Sequence, residues 1–212
     1  MNERINMEQL SSDLRKILLE SGADLAGFAD LSKIENIPYH TGVIIAIHQP
    51  VKGTFEETYH EYIRNRLSIA LQAGADFLEQ KGCKVFLQGK KDHRILPHKT
   101  IATLAGLGWI GKNCLLITPE FGSGVRLASL FTDAPLSCAE PVLESKCGNC
   151  TACVDACPGK ALKGTLWKAG MELQEILDVD ACREAREKEW REWDKPYELS
   201  ENCIAACPYT KQ

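Results

Sequence analysis

Apolar residues recur at helical spacing between Met7 and Glu20, at Leu10, Leu14, Ile17 and Leu18, and the pattern ends at Ser21-Gly22. This predicts an amphipathic helix closed by a glycine. Asp24 to Ala29 and Gly42 to His48 follow, the second rich in β-branched residues and closed by Pro50, and both read as strands, the second buried. From Phe55 to Lys81 the periodicity returns to about 3.6, with Tyr59, Tyr62, Ile63, Leu67, Ala70, Leu71, Phe77 and Leu78 near one face of a long helix that Gly74 is expected to bend. Cys83 to Leu87 reads as a strand, His98 to Leu104 as a helix, and Cys114 to Thr118 and Val125 to Thr132 as strands flanking the loop 119–124. Arg183 to Asp194 reads as a solvated helix of mixed charge, with Trp190 and Trp193 on its inward face.

Over 212 residues, 44% hydrophobic and 25% charged side chains describe a soluble globular chain of one large or two small domains. No apolar run approaches the roughly 18 residues a membrane-spanning helix needs, and MNERINMEQLSSDLRK holds no apolar leader core, so a cytoplasmic protein without membrane contact is expected. A net charge of −4 supplies no general basic field, which argues against nucleic acid as a partner without a further RNA-binding domain. Residues 1–137 carry 15 basic and 15 acidic side chains, and 138–212 carry 10 and 14. Composition therefore shifts late in the chain, and two domains are expected, a scaffold over 1–137 and a cysteine-rich module over 138–212.

The chain has ten cysteines, and Cys147, Cys150, Cys153, Cys157, Cys182, Cys203 and Cys207 fall in its last third. In a reduced compartment such clustering reads as metal ligation before disulfide bonding. Cys147 to Pro158 spells C-x2-C-x2-C-x3-C-P, the bacterial run for [4Fe–4S] clusters, and Cys203 to Pro208 repeats the C-x3-C-P ending. Three thiolates on a tight loop wrap one cubane while the fourth, before a chain-turning proline, points to another. Cluster one is thus expected on Cys147, Cys150, Cys153 and Cys207, leaving Cys157, Cys182 and Cys203 for cluster two, one ligand short. Zinc is the alternative for cysteine pairs, but it leaves the third cysteine and the twin Cys-Pro endings unexplained. Cys83, Cys114 and Cys138 read as small buried hydrophobes, with a metal role kept open for Cys138.

Gly106-Leu-Gly108-Trp-Ile-Gly111 matches G-x-G-x-x-G, but a dinucleotide site follows a strand and opens a helix, whereas here a helix precedes and a strand follows. Gly106, Gly108 and Gly111 would let backbone approach a bulky ligand, with Trp109 as a flat face and Lys112 and Asn113 as donors. A tight packed turn around a core tryptophan is the other reading.

Ala105 to Thr118 (AGLGWIGKNCLLIT), Glu120 to Ser123, Leu130 to Asp133 and the double Cys-Pro module together resemble the epoxyqueuosine reductase family, which is related to the reductive dehalogenases. The resemblance covers roughly Lys99 to Pro208 and implies an α+β architecture: a nitroreductase-like α/β scaffold followed by a ferredoxin-like module with two [4Fe–4S] clusters. It further implies cobalamin, held base-off between scaffold and module and reduced through the clusters. Such enzymes carry an acidic proton donor ahead of the glycine loop; an ungapped count places Asp92 there, and His98 competes for the role. Family members that act on transfer RNA extend into helical repeats, and this chain stops at Gln212. Where the family has the first cysteine of its final C-x2-C-x3-C-P, this chain has Ser200. Cluster two is then completed by the Ser200 oxygen or by Cys138 or another cysteine, or it loses an iron to become [3Fe–4S].

The function expected is a corrinoid-dependent reductase that takes electrons from a ferredoxin- or flavodoxin-type donor and reduces a small molecule or a modified nucleoside. The alternative is an electron-transfer or reductase-activating iron–sulfur protein with no substrate of its own.

Overall fold

The computed structural model describes residues 6–49, 57–88, 95–193 and 202–211. Asp92 and Ser200 lie outside the described residues, as do the side chains of Tyr59, Trp190 and Trp193. The chain forms two compact units, and their boundaries interleave: 6–49, 57–107 and 125–142 supply the described parts of the first unit, 108–124 and 143–211 those of the second. A single division at 137/138 therefore differs from the observed partition, because residues 108–124 make their contacts with the cysteine-rich part.

The first unit holds α1 (Met7–Glu20), β1 (Leu25–Asp30), β2 (Thr41–His48), α2 (Glu57–Gln80), β3 (Val85–Leu87) and α3 (His98–Leu104). After an excursion into the second unit, where β4 (Trp109–Ile110) and β5 (Leu116–Ile117) form, the chain returns as β6 (Val125–Thr132). Asn6 caps α1 by accepting from the backbone of Glu8 and Gln9. The sheet is antiparallel in the order β1-β2-β6-β3, with Val43 opposite Leu130 and Ile44 opposite Ser129. β2 is buried on both faces over Gly42–Ile47, which is why its sequence is a continuous apolar run rather than an alternation.

Alternation sorts the other strands. Leu10, Leu14 and Leu18 of α1 and Ala70, Leu71, Ala75 and Leu78 of α2 pack with Ala26, Phe28, Val43, Ile45 and Leu130 in one apolar core. α3 lies on the opposite face, where Ile101 approaches Gly42 and Ala105 approaches Gly27. α2 runs unbroken through Gly74, whose missing side chain makes room for Leu18; a Cβ there would stand 2.6 Å from Leu18 Cδ2.

The second unit has far less regular structure. β4 pairs with β5 as a short hairpin, and α4 (Ala152–Asp155), α5 (Leu173–Ile176) and α7 (Asn202–Ala205) are single turns. Only α6 (Val179–Trp193) is long. The solvated helix expected from Arg183 starts four residues earlier, at Val179, so Cys182 lies on it.

Candidate metal centre

The ferredoxin run winds around α4, with Cys153 inside that turn and the Cys150 amide closing back on the Cys147 carbonyl at 3.2 Å. Burial, reinforced by the neighbouring Cys207, Cys147 and Cys150 thiols, pushes the Cys153 thiol up to about 11. These are the four sulfurs expected to hold cluster one, and they share one neighbourhood. Burial also pushes Cys203 up to about 12, with Cys153, Cys157 and Cys182 adding to it. Cys182 is raised first by burial, with the Arg186 charge opposing and Cys157 and Cys114 adding to the rise. The second set expected from spacing, Cys157, Cys182 and Cys203, is therefore also assembled. Cys203 adjoins Cys153 as well, so the two sets are neighbours.

Among the described residues, no three His, Cys, Asp or Glu side chains converge as ligands of one ion. Two further features fit iron–sulfur clusters. Lys112 is 6% exposed, and its Nζ donates to the carbonyls of Gly148 (2.9 Å) and Cys150 (3.0 Å) inside the cysteine loop. No carboxylate forms an ion pair with it among the described residues. A buried ammonium needs a counter-charge, and cluster thiolates behind those carbonyls would supply one. Trp109 is 4% exposed, meets Tyr209 edge-on at a centroid distance of 5.1 Å and lies under the Lys146 ammonium. Its buried Nε1–H has no hydrogen-bond partner among the described residues, although Lys146 precedes Cys147 and Tyr209 lies two residues after Cys207. In the second set the Ala161 amide donates to Cys157 Sγ at 3.4 Å. N–H donors and positive charge beside thiolate sulfur are the ordinary means of setting a cluster's potential.

The glycine-rich stretch takes the other reading of its sequence, that of a packed turn. Gly106, at φ +70°, is the left-handed residue that ends α3, with its own N–H on the Thr103 carbonyl and the Leu107 N–H on the Ala102 carbonyl. A Cβ on Gly108 would strike the Ile117 carbonyl across the hairpin, and one on Gly111 would strike the Ile117 side chain. Asn113 Nδ2 donates to Ser123 Oγ at 3.2 Å, and its Oδ1 accepts from the Leu115 amide. Ser123 in turn shares a 3.1 Å hydrogen bond with Thr210, three residues past Cys207. Trp109, Lys112 and Asn113 are thus bonded or packed inside the cluster unit. Spacing could not show this, because it does not reveal which way a donor faces.

His98 opens α3 in the first unit. Its Nδ1 stands 2.7 Å from Ser129 Oγ and 3.2 Å from Gln88 Nε2, an amide nitrogen that also donates to the Leu96 carbonyl. A donating amide beside Nδ1 favours the tautomer in which Nδ1 accepts. Cys138 packs against the apolar core of the first unit, and its thiol donates to the Leu136 carbonyl. Cys83 packs on the same core.

Residues 146–210 match the family described as a 4Fe-4S double cluster binding domain. Along 111 residues, 52% of this chain, the sequence is 38% identical to the epoxyqueuosine reductase of Bacillus anthracis. The chain is a homologue of the epoxyqueuosine reductases. The aligned part spans 28% of the Bacillus anthracis enzyme, so this epoxyqueuosine reductase-like chain corresponds to a portion of it. An epoxyqueuosine reductase solved with an epoxyqueuosine-modified tRNA-Tyr stem loop has the same fold, with a TM-score of 0.71 at 24% identity over 96% of this chain and 66% of that one. A reductive dehalogenase described in terms of B12-dependent dehalogenation gives 0.76 at 16% identity, over the whole of this chain and 33% of its own. The α+β architecture with a double-cluster module, expected from the sequence, is the one observed. No helix among the described residues is long and apolar enough to cross a membrane.

Proposed function

We propose that this epoxyqueuosine reductase-like iron–sulfur protein is a cytoplasmic reductase whose two cubanes relay single electrons from a ferredoxin- or flavodoxin-type donor to a corrinoid, which reduces a small organic group or a modified nucleoside. One observation supports the relay: α4, which carries Cys153, packs against α7, which carries Cys203. Two clusters held by these neighbouring cysteines would lie close enough for electron exchange, which isolated structural sites do not need. The likeness to a B12-dependent dehalogenase supports the corrinoid, whose low-valent cobalt would supply the reducing electrons.

This chain's own residues do the rest. Lys112 and the Trp109 N–H would stabilise added negative charge on a cluster held there. His98, which stands against Gln88 and Ser129 through Nδ1, is a proton-donor candidate that would act from its protonated, imidazolium form. Asp92 stays a second proton-donor candidate on sequence grounds.

A second reading, an electron carrier without its own substrate, is favoured by the commitment of Lys112 and Asn113 to the cluster unit. Anaerobic reconstitution followed by iron, sulfide and cobalt analysis separates the two. About eight irons per chain with tight binding of cob(II)alamin supports the reductase. Full iron without cobalamin binding supports the carrier, and a colourless zinc protein overturns both.

A further inference from the structure

The turn that follows the ferredoxin run lies against α6. The Asp178 amide donates to the Ala161 carbonyl at 2.8 Å, and Leu162 pairs with Leu177 in an isolated bridge. Gly159 makes the contact close: a Cβ on it would stand 2.7 Å from both the Ala181 carbonyl oxygen and the Ala185 Cβ. The segment Cys157-Pro158-Gly159 is thereby seated over the helical turn from Ala181 to Ala185, and Cys182 lies within that turn. Two arginines of α6 flank the same place and are used differently. Arg183 reaches Asp180 at 2.6 Å, and both side chains are mostly in solvent. Arg186 follows Cys182 by four residues and so shares its face, and long helical side chains lean back over the preceding turn, which here carries the cysteine. Its Nε is buried. A guanidinium keeps its charge at any working pH, so burial does not neutralise it as it can a lysine.

We propose that Arg186 sets the potential of cluster two: its guanidinium, on the Cys182 face of α6, stabilises the negative charge that the cubane gains on reduction. This assignment rests on the two-cluster reading above and deepens it. Arg186 is a positioning residue in an electrostatic sense, since it touches neither substrate nor the reacting group. The electron comes from the ferredoxin- or flavodoxin-type donor, which is oxidised by one electron as cluster two is reduced by one, and no bond to Arg186 forms or breaks. Each cysteine set then has its own cation, Lys112 on the loop of cluster one and Arg186 on the helix of cluster two. One positive charge at each cubane shifts both potentials the same way, so reduction becomes easier at both without widening the gap an electron must cross between them.

The test is a potentiometric titration of the full chain, reconstituted anaerobically with iron and sulfide and followed by electron paramagnetic resonance, with Cys182→Ser identifying which signal belongs to cluster two. Arg186→Gln should keep about eight irons per chain and make reduction of cluster two about tenfold less favourable, a fall of about 59 mV for a one-electron couple, while the cluster-one midpoint stays put. Arg186→Lys keeps the charge and should stay near the parent. Arg183→Gln makes the same change of charge on the solvent side of the helix and should move neither midpoint. Full iron with parent midpoints in Arg186→Gln overturns the assignment, and so does an equal fall in Arg183→Gln. If Arg186→Gln loses iron, Arg186→Lys decides: full iron at the parent midpoint supports the role of the charge, full iron at a lowered midpoint overturns it, and loss of the cluster from both variants makes Arg186 a structural residue and overturns it too. Failure of the parent to bind two clusters would instead defeat the two-cluster reading itself.

Discussion

The two units of this chain are held together by different physics. The first is an apolar core between a four-stranded sheet and two helices, with Leu14, Leu18, Val43, Ile45, Leu78 and Leu130 fully buried. The second buries a few scattered apolar residues, among them Trp109, Ile117, Leu162, Trp167 and Ile176, around single-turn helices and isolated bridges. Such turns are too short to be stable alone. What assembles them is a convergence of thiols that costs free energy until metal joins it. The first unit therefore folds by excluding water, and the second by binding iron.

The contrast can be broken at either end. The largest effect is expected from Cys153→Ala, which removes a buried ligand of cluster one. Half the iron should be absent after reconstitution, and protease cleavage should concentrate in residues 143–211, with 6–49 protected. Leu18→Ala comes next and should cost about 2–5 kcal/mol, read as a lower urea midpoint by far-ultraviolet circular dichroism. The visible absorption of the clusters should stay unchanged until that unit melts. Equal loss of colour and of helix signal in both variants would show one cooperative unit instead of two.

Smaller changes sharpen the electrostatic side. Lys112→Met removes a buried positive charge from the cluster-one loop and should lower that cluster's potential. An interaction on the order of 1 kcal/mol corresponds to roughly 40 mV for a one-electron couple. Trp109→Phe keeps the packing against Tyr209 but deletes the unpartnered N–H, and a smaller shift in the same direction is expected. Both are read by potentiometric titration, and an unchanged potential in both would detach the hairpin from the cluster's chemistry. For the first unit the corresponding probe is His98→Gln, which should suppress turnover in a reductase assay while leaving iron content and potentials alone.

Legibility in the sequence follows the same division. α1, β2, α2, α3 and β6 could be read because water exclusion leaves a period: 3.6 residues in a helix and an unbroken apolar run in a strand buried on both faces. The cysteine sets could be read because a cubane dictates ligand spacing. α4, α5 and α7 could not, since four residues carry no period. Trp109–Ile110 looked like loop because a two-residue strand is defined by its partner, Leu116–Ile117, and not by its own residues. Lys112 and Asn113 were singled out as donors, correctly as to type, yet their acceptors lie 10 to 38 positions away.

Gly122 makes the interleaving consequential for how the protein is made. A side chain there would run into the backbone of Tyr209 and Thr210, so the turn at 118–124 is shaped to receive a segment that the ribosome has not yet produced. Ser123 and Thr210 are 87 positions apart. At a synthesis rate of about 5–20 residues per second, the hairpin waits roughly 4–17 s for that partner. During that interval the strands that surround it can form their sheet, while cluster one still lacks Cys207. Iron delivered early would meet an incomplete ligand set, so cluster insertion is a late event in biogenesis. A nascent chain stalled before residue 203 should be well folded in its first unit and colourless.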